Sequence, residues 1–278
     1  MFKRVHERVW AFDAEWVPDP HTGRMVYDLP ESMGPAQVTE EMWRRGGATE
    51  EDPRPYLKTV LCRIVSVAMV GRRVEEGEVR LQLNSLPSGD EGEIGEADLV
   101  SRFLEGVGKH QPQLIGYNSA AADLRILVQR GVGAGISVPG FAQRPDKPWE
   151  GVDYFGGNDW HVDLFDILGG RGRGRPSLHE MATVCGIPGK FSDSGSDVAD
   201  LWMAGDIGRI VAYNELDALT TYLLWLRVAH FGGFFTLEEY QREQEMVEQL
   251  LQRELERPGR DHLQAFLDEW ARLRRYYQ

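Results

Sequence analysis

The chain reads as an α/β domain with a mixed β-sheet and a helical tail, and three features of its order lead there. Strand-like segments come first, and two of them are close enough to form a hairpin. Helical segments follow, with one more short strand among them. Two charged helical segments then close the sequence.

Taken in order, Arg8 to Val17 alternates, with Trp10, Phe12, Ala14 and Trp16 on one side and Val9, Ala11, Asp13 and Glu15 on the other. A stretch rich in proline and glycine, Asp19 to Lys58, is expected as a loop-like insert. Thr59 to Val70 is a nearly continuous apolar strand and Glu78 to Leu83 an alternating one. The segment Gly71 to Gly77 between them predicts an antiparallel hairpin. After an acidic turn, Ser88 to Glu96, the stripe Leu99, Val100, Phe103, Leu104 and Val107 predicts an amphipathic helix. Gln113 to Tyr117 is a short strand and Ala120 to Gln129 a helix. Gly131 to Trp160 is loop-like, and His161 to Leu168 is either a strand or a short helix. Leu178 to Cys185 and Asp206 to Ala229 are helical, as are two segments beyond Thr236 that break near Pro258 and Gly259. The expected division is a main α/β domain over 1–235, with its insert at about 19–58, and a helical extension over 236–278.

Composition narrows the classes. Hydrophobic residues make up 42% of 278, enough for a sizeable core. Met1 to Trp16 is charged throughout and unlike a secretory signal, and no stretch approaches the ~20 apolar residues of a membrane span. A cytoplasmic protein without membrane contact is expected. Cys62 and Cys185 form no CxxC pair and read as reduced thiols. The net charge of −13 argues against tight duplex binding, but a cluster of carboxylates recruits divalent cations that in turn attract phosphate. No GxGxxG follows the first strand, and Gly131 to Gly135 lies after a helix, which excludes a dinucleotide-binding reading.

Three short patterns carry chemistry. In Asp13-Ala14-Glu15 both carboxylates leave one strand face about 7 Å apart, where they repel each other unless a cation lies between. Asn118 and Asp123 bracket a strand-to-helix junction, with Asp123 near the first helical turn, where the helix dipole favours an acid in any case. Tyr213 and Asp217 share one face of a helix packed through Ile210, Val211, Leu216, Leu219, Tyr222 and Leu223. Each pattern alone is common on ordinary strands and helices.

Together, a strand-borne DxE, an N-x4-D junction and a helical YxxxD resemble the DEDD exonuclease superfamily, in which a ribonuclease H-like mixed sheet flanked by helices carries the acids. One branch of that superfamily has a histidine five residues before the last acid. Ala212 stands there, and Tyr213 at four, so the resemblance is to the tyrosine branch. The segments HVDLFDIL, PSLHEMATVCGIPGK and VAYNELDALTTYLLWLR are similar to stand-alone bacterial proteins related to the proofreading exonuclease domain of family-B DNA polymerases. That similarity covers Val9 to Arg227 and weakly the tail, with 19–58 poorly matched.

The resemblance implies a metal-dependent 3′→5′ exonuclease that releases nucleoside 5′-monophosphates. It implies two divalent cations, Mg²⁺ or Mn²⁺, held by Asp13, Glu15, Asp123 and Asp217. Tyr213, with Glu15, would orient the attacking water. The implied partner is a nucleic-acid 3′ end, with single-stranded or frayed DNA favoured over RNA. RNA 3′-end trimming and a catalytically silent binding module are the alternatives. Trp16 stands where relatives have a small hydroxyl residue, and Ala122 where a Phe often precedes the third acid; both bear on how the terminal nucleotide is held. Trp16, Asn118, Arg171, Arg173, Arg175 and Lys190 are the candidate substrate contacts, the arginines as either a phosphate-following loop or a solubilising turn. Asp163 and Asp166 either help shape the site or, in the favoured reading, have a structural role such as a cap or a contact supporting the site residues. Trp149, Tyr154, Phe155 and Trp160 either stack on bases or pin their loop, and His161 and His179 lack metal-ligand spacing.

Overall fold

The computed structural model describes residues 1–88, 94–147, 149–156, 159–169, 174–189 and 198–277. At its centre is β1, Arg8–Pro18, with neighbours on both sides. On one side it pairs antiparallel with β2 (Cys62–Glu75), which pairs antiparallel with β3 (Glu78–Leu86). On the other it pairs parallel with β4 (Gln113–Gly116), and β4 with β5 (His161–Asp163). The sheet order is β3-β2-β1-β4-β5, a mixed five-stranded sheet of ribonuclease H-like type. The expected hairpin is present and tighter than Gly71 to Gly77. Its turn is Glu76-Gly77, both with positive φ, the backbone a two-residue hairpin loop requires.

Alternation along β1 sends its two sides into two cores. Val9 and Ala11 enter one, with the long helix α9 (Ile207–Phe231) and the C-terminal helices α10 (Leu237–Leu255) and α11 (Asp261–Arg274). Phe12 and Ala14 enter the other, with α3 (Glu96–His110) and α4 (Asp123–Gly133). Leu99, Val100, Phe103, Leu104 and Val107 are all buried there, as the stripe predicted. The apolar cluster under α9 is continuous across residue 235, since Leu219 and Trp225 share it with Val247, Phe266 and Trp270.

The 19–58 stretch differs from its loop-like reading by holding two helices, α1 (Pro20–Tyr27) and α2 (Pro35–Gly46). The prolines that suggested a loop occupy the first turn of each, where a missing N–H costs nothing. Asp19 caps α1 by accepting the His21 N–H at 3.1 Å, and it also binds Arg130 of α4 at 2.8 Å. Arg130 bonds Glu96 of α3 as well, so one guanidinium fastens the insert to both helices behind β1. Val38 and Met42 add apolar anchoring.

Elsewhere the boundaries move by a few residues. Thr59–Leu61 is a single 3-10 turn before β2. Among the described residues of 131–160, α4 runs on to Gly133 and α5 (Pro139–Ala142) adds a helical turn. His161 to Leu168 is both strand and helix, since α6 (Leu164–Gly169) follows β5 directly. Helix α7 spans Leu178–Val184, and α8 (Val198–Met203) has no counterpart in the sequence reading. Cys62 and Cys185 are free thiols, the first buried. Among the described residues no helix is long and apolar enough to cross a membrane.

The tail joins the body through buried charged groups as well as apolar ones. Glu243 of α10 is 3% exposed and meets Arg72 of β2 through Nη2 at 2.5 Å, while the Tyr222 hydroxyl donates to it at 2.9 Å. Glu215 of α9 is fully buried. It accepts from Ser85 at 2.7 Å and from His262 at 2.8 Å, and pairs with Arg260.

Candidate active site

Asp13 and Glu15 lie near the end of β1, beside which α9 passes. Because the strand alternates, both carboxylates leave the face that meets α9. Tyr213 and Asp217 share a face of that helix, four residues apart. The result is a group of three: carboxylate oxygens of Asp13, Glu15 and Asp217 all lie within 4.8 Å of one another. The ladder to β2 shifts between Glu15 and Trp16, a bulge of the kind that re-aims side chains at sites.

Asp123 comes from the other side of β1. It is 4% exposed, the first residue of α4, and its Oδ1 accepts the Ala14 backbone N–H at 2.9 Å. The junction that delivers it is fixed in detail. Asn118 has φ of 61°, a left-handed conformation that asparagine tolerates. A Cβ at Gly116 would lie 2.2 Å from Ser119 Oγ, so the close turn requires glycine there. Asp163 accepts the N–H groups of Asn118 at 2.8 Å, Ala120 at 2.9 Å and Phe165 at 3.0 Å. Asp163 is therefore a backbone clamp beneath Asp123, in keeping with its reading as a cap.

The electrostatics follow from burial. Asp13 is held well above the usual carboxylate range, first by desolvation and then by the charges of Asp123, Asp217 and Glu15. Desolvation likewise pushes Asp123 up to about 7, against the opposing pull of the Ala14 N–H. The Tyr213 phenol is raised by burial and by Asp217, Glu15 and Asp13, which keeps it a donor at neutral pH.

The donor set suits a hard divalent cation. It consists of carboxylate oxygens alone, the ligands that Mg²⁺ and Mn²⁺ take. Two oxygens on one Mg²⁺ lie at most ~4.2 Å apart, so a few tenths of an ångström of side-chain movement would close the observed group on an ion. A cation there would also reverse the repulsion that raises Asp13.

Two residues near this site were not anticipated. Asn214 is completely buried and its Nδ2 donates to Asp13 Oδ2 at 3.3 Å. Its place three residues before Asp217, on the same helical face, was the available signal. Tyr56 meets Trp16 edge-on at 6.2 Å and 84° while remaining 71% exposed. Burial of its hydroxyl and the nearby Asp123 charge push its pKa up to about 12. It lies in the insert, and no spacing rule pointed to it.

The remaining candidates divide. Trp16 is half-buried and packs on the core behind β1. Asn118 serves the turn through its backbone and is half-buried. Arg175 is exposed, with its guanidinium 4.8 Å from the Phe165 ring. Arg171, Arg173 and Lys190 lie outside the described residues. Of the loop aromatics, Tyr154 is buried with its hydroxyl on Pro112 O at 2.9 Å, and Trp160 packs on His6. Trp149 and Phe155 are exposed. His161 bonds Ser119 at 2.9 Å, and burial lowers it to about 4, the behaviour of a neutral supporting residue. Asp166 lines a surface cleft with Arg125 and Phe155.

Comparison with family models matches residues 54–270 to the predicted 3′-5′ exonuclease related to the exonuclease domain of PolB. The matched range holds Asp123, Tyr213 and Asp217 and runs into α11; β1, with Asp13 and Glu15, precedes it. Comparison with curated proteins finds no match.

Proposed function

The chain belongs to this exonuclease family, and on that premise we propose that it is a metal-dependent 3′→5′ exonuclease of the tyrosine branch, acting on single-stranded or frayed DNA ends. The observation that carries the proposal is the meeting of Asp13, Glu15 and Asp217, from a strand and a helix far apart in sequence, within 4.8 Å. Nucleic acid as the substrate class follows from the family; the preference for DNA is part of the proposal.

In this reading Asp13, Glu15 and Asp217 would hold one divalent cation, and Asp13 with Asp123 a second. Bound there, Mg²⁺ or Mn²⁺ would acidify the attacking water and offset charge on the scissile phosphate. The protein's own groups do the rest. Glu15 accepts a hydrogen bond from the water, and Tyr213, kept protonated, donates one to it or to a phosphate oxygen. The water oxygen bonds to phosphorus as the bond to the 3′ oxygen breaks. The proton that the water gives up passes to bulk solvent, and the leaving 3′ oxygen takes one up from solvent, leaving a nucleoside 5′-monophosphate and a strand one nucleotide shorter. Asn214 holds Asp13 in place, and Asp163 holds the turn that delivers Asp123. Trp16 and Tyr56 are the proposed stacking surface for the terminal nucleotide, with Asn118 and the arginines of 171–175 and Lys190 as further contacts. The proposed organisation keeps the catalytic domain at 1–235, with the 236–278 helices packed beneath it.

The test uses DNA and RNA oligonucleotides labelled at the 5′ end, single-stranded and duplex, with Mg²⁺, Mn²⁺ or EDTA. A metal-dependent ladder shortening from the 3′ end, absent in Asp217→Ala, is the expected result. Faster shortening of RNA would make it a trimming exoribonuclease. Binding without cleavage would make it a silent module.

A further inference from the structure

The sheet has two edges, and they are built differently. β5 is three residues long and passes directly into α6. β3 is nine residues long and pairs with β2 in unbroken register from Glu75↔Glu78 to Val67↔Leu86. Between Glu78 and Leu86 there is no proline and no bulge, two of the usual means of closing an edge. On the outer side, no backbone hydrogen bond among the described residues engages 78–86.

That edge opens into a cleft of about 700 Å³. Val79 to Asn84 form one wall, and Met246, Gln249 and Leu250 of α10 form part of the other. Six strand residues span ~20 Å, enough to lay an extended segment of similar length beside them. Side chains along β3 alternate as a strand partner requires, with Leu81 and Leu83 buried and Arg80, Gln82 and Asn84 exposed.

The rim is basic in a chain of net charge −13. Arg73, Arg80, Arg253 and Arg257 line the cleft, against one acid, Glu254. Arg257 already pairs with Glu254 at 2.9 Å and Arg73 with Glu75 at 3.0 Å. Among the described residues Arg80 and Arg253 have no such pair.

We propose that the β3 edge is a docking site for an extended, acidic segment of a partner protein, which adds to the sheet as a sixth strand against α10. The hydrogen-bonding inventory selects a peptide over a nucleic acid. An open edge presents N–H donors and C=O acceptors in alternation, and a second strand matches both. A phosphate backbone has acceptors only and would meet the carbonyls unfavourably. Charge selects an acidic segment over a second copy of this chain, because Arg80 and Arg253 call for carboxylates, and residues 78–86 of another copy carry one acid, Glu78, and one arginine, Arg80, with no net negative charge. The site lies at the opposite edge of the sheet from β4 and the Asp123 junction, so its occupation is compatible with hydrolysis.

The test is fluorescence anisotropy with the full chain and a labelled peptide of about eight alternating valines and glutamates, a length that fits β3. Lysine-for-glutamate and alternately N-methylated versions serve as controls. Saturable binding of the acidic peptide is expected, weakened about tenfold or more by either control and by Arg80→Glu with Arg253→Glu. Amide exchange of Val79 to Asn84 should slow on binding, while the variant keeps its melting temperature and nuclease activity. Absent binding, or equal binding of the N-methylated peptide, would overturn the proposal. So would a matched oligonucleotide displacing the peptide by slowing the same amides, or light scattering showing dimers that protect β3 without peptide.

Discussion

Asp123 Oδ1 accepts the backbone N–H of Ala14 at 2.9 Å, so the third acid is fastened to the one residue that separates the first two. One oxygen of Asp123 is thereby committed to the strand. Its charge and its hydrogen bond are separable by substitution. Asp123→Asn keeps an acceptor for Ala14 and removes a buried charge, and Asp123→Ala removes both. Both should lose hydrolysis. In urea denaturation of the metal-free protein, Asn should be neutral or stabilising, while Ala should cost about 1–3 kcal/mol for the unmet N–H. Equal stabilities for the two would show that the bond contributes nothing.

Asp13→Ala and Asp217→Ala should each lower hydrolysis by about three orders of magnitude while keeping the fold, because each removes a carboxylate on which the proposed chemistry depends. Gel assays with far-ultraviolet circular dichroism check both halves. An Asp13→Ala, Glu15→Ala protein degrading DNA at the wild-type rate would remove the site assignment.

Tyr213→Phe removes a donor and no carboxylate. The phenol sits above its ordinary range and so is protonated across the working pH. A fall of about 10- to 100-fold in kcat, with Mn²⁺ affinity within about twofold, is expected. Loss of Mn²⁺ binding in this variant would instead make the tyrosine structural.

Stability without metal should depend on pH in a way the carboxylates dictate. Asp13 and Asp123 titrate higher in the folded chain than in the unfolded one, where aspartate titrates near ~3.9. The folded state therefore binds more protons between those values. This contribution is complete below ~4 and is lost as pH rises through the folded values, about 7 for Asp123. The melting temperature of the wild type relative to Asp13→Asn should fall from pH 4 to pH 8, and Mg²⁺ should restore more of it at pH 8 than at pH 5. A difference flat with pH would contradict the repulsion argument.

Arg72 and Glu243 form an ion pair buried on both sides, with side chains 6% and 5% exposed. Glu243→Gln or Arg72→Leu should each cost about 3–5 kcal/mol by leaving one charge uncompensated. Replacing both with apolar residues should cost less than either single change. Denaturant titration of the three variants decides it.

Much of this was legible in the sequence for identifiable reasons. Alternation placed Asp13 and Glu15 on one strand face, and helical spacing placed Tyr213 with Asp217, since both rules are local. The insert was misread as loop-like because Pro20 and Pro35 look like breakers and are first-turn residues of helices. What fixes α1 is Asp19 with Arg130, 111 residues away, and no local pattern encodes that. Asn214 was passed over because an amide between Tyr213 and Asp217 is unremarkable until Asp13 is known to sit against it. Tyr56 reaches the site only through the path of the insert.

Glu215 gives the tail a second meaning. It lies between Tyr213 and Asp217 in sequence, yet its carboxylate is met by Arg260 and His262 from beyond α10. A chain ended before residue 260 would lose both of those basic partners, and with them Leu263, Phe266 and Trp270 from the apolar cluster beneath the very helix that presents Asp217. Such a shortened protein should accumulate as insoluble material rather than as a smaller nuclease.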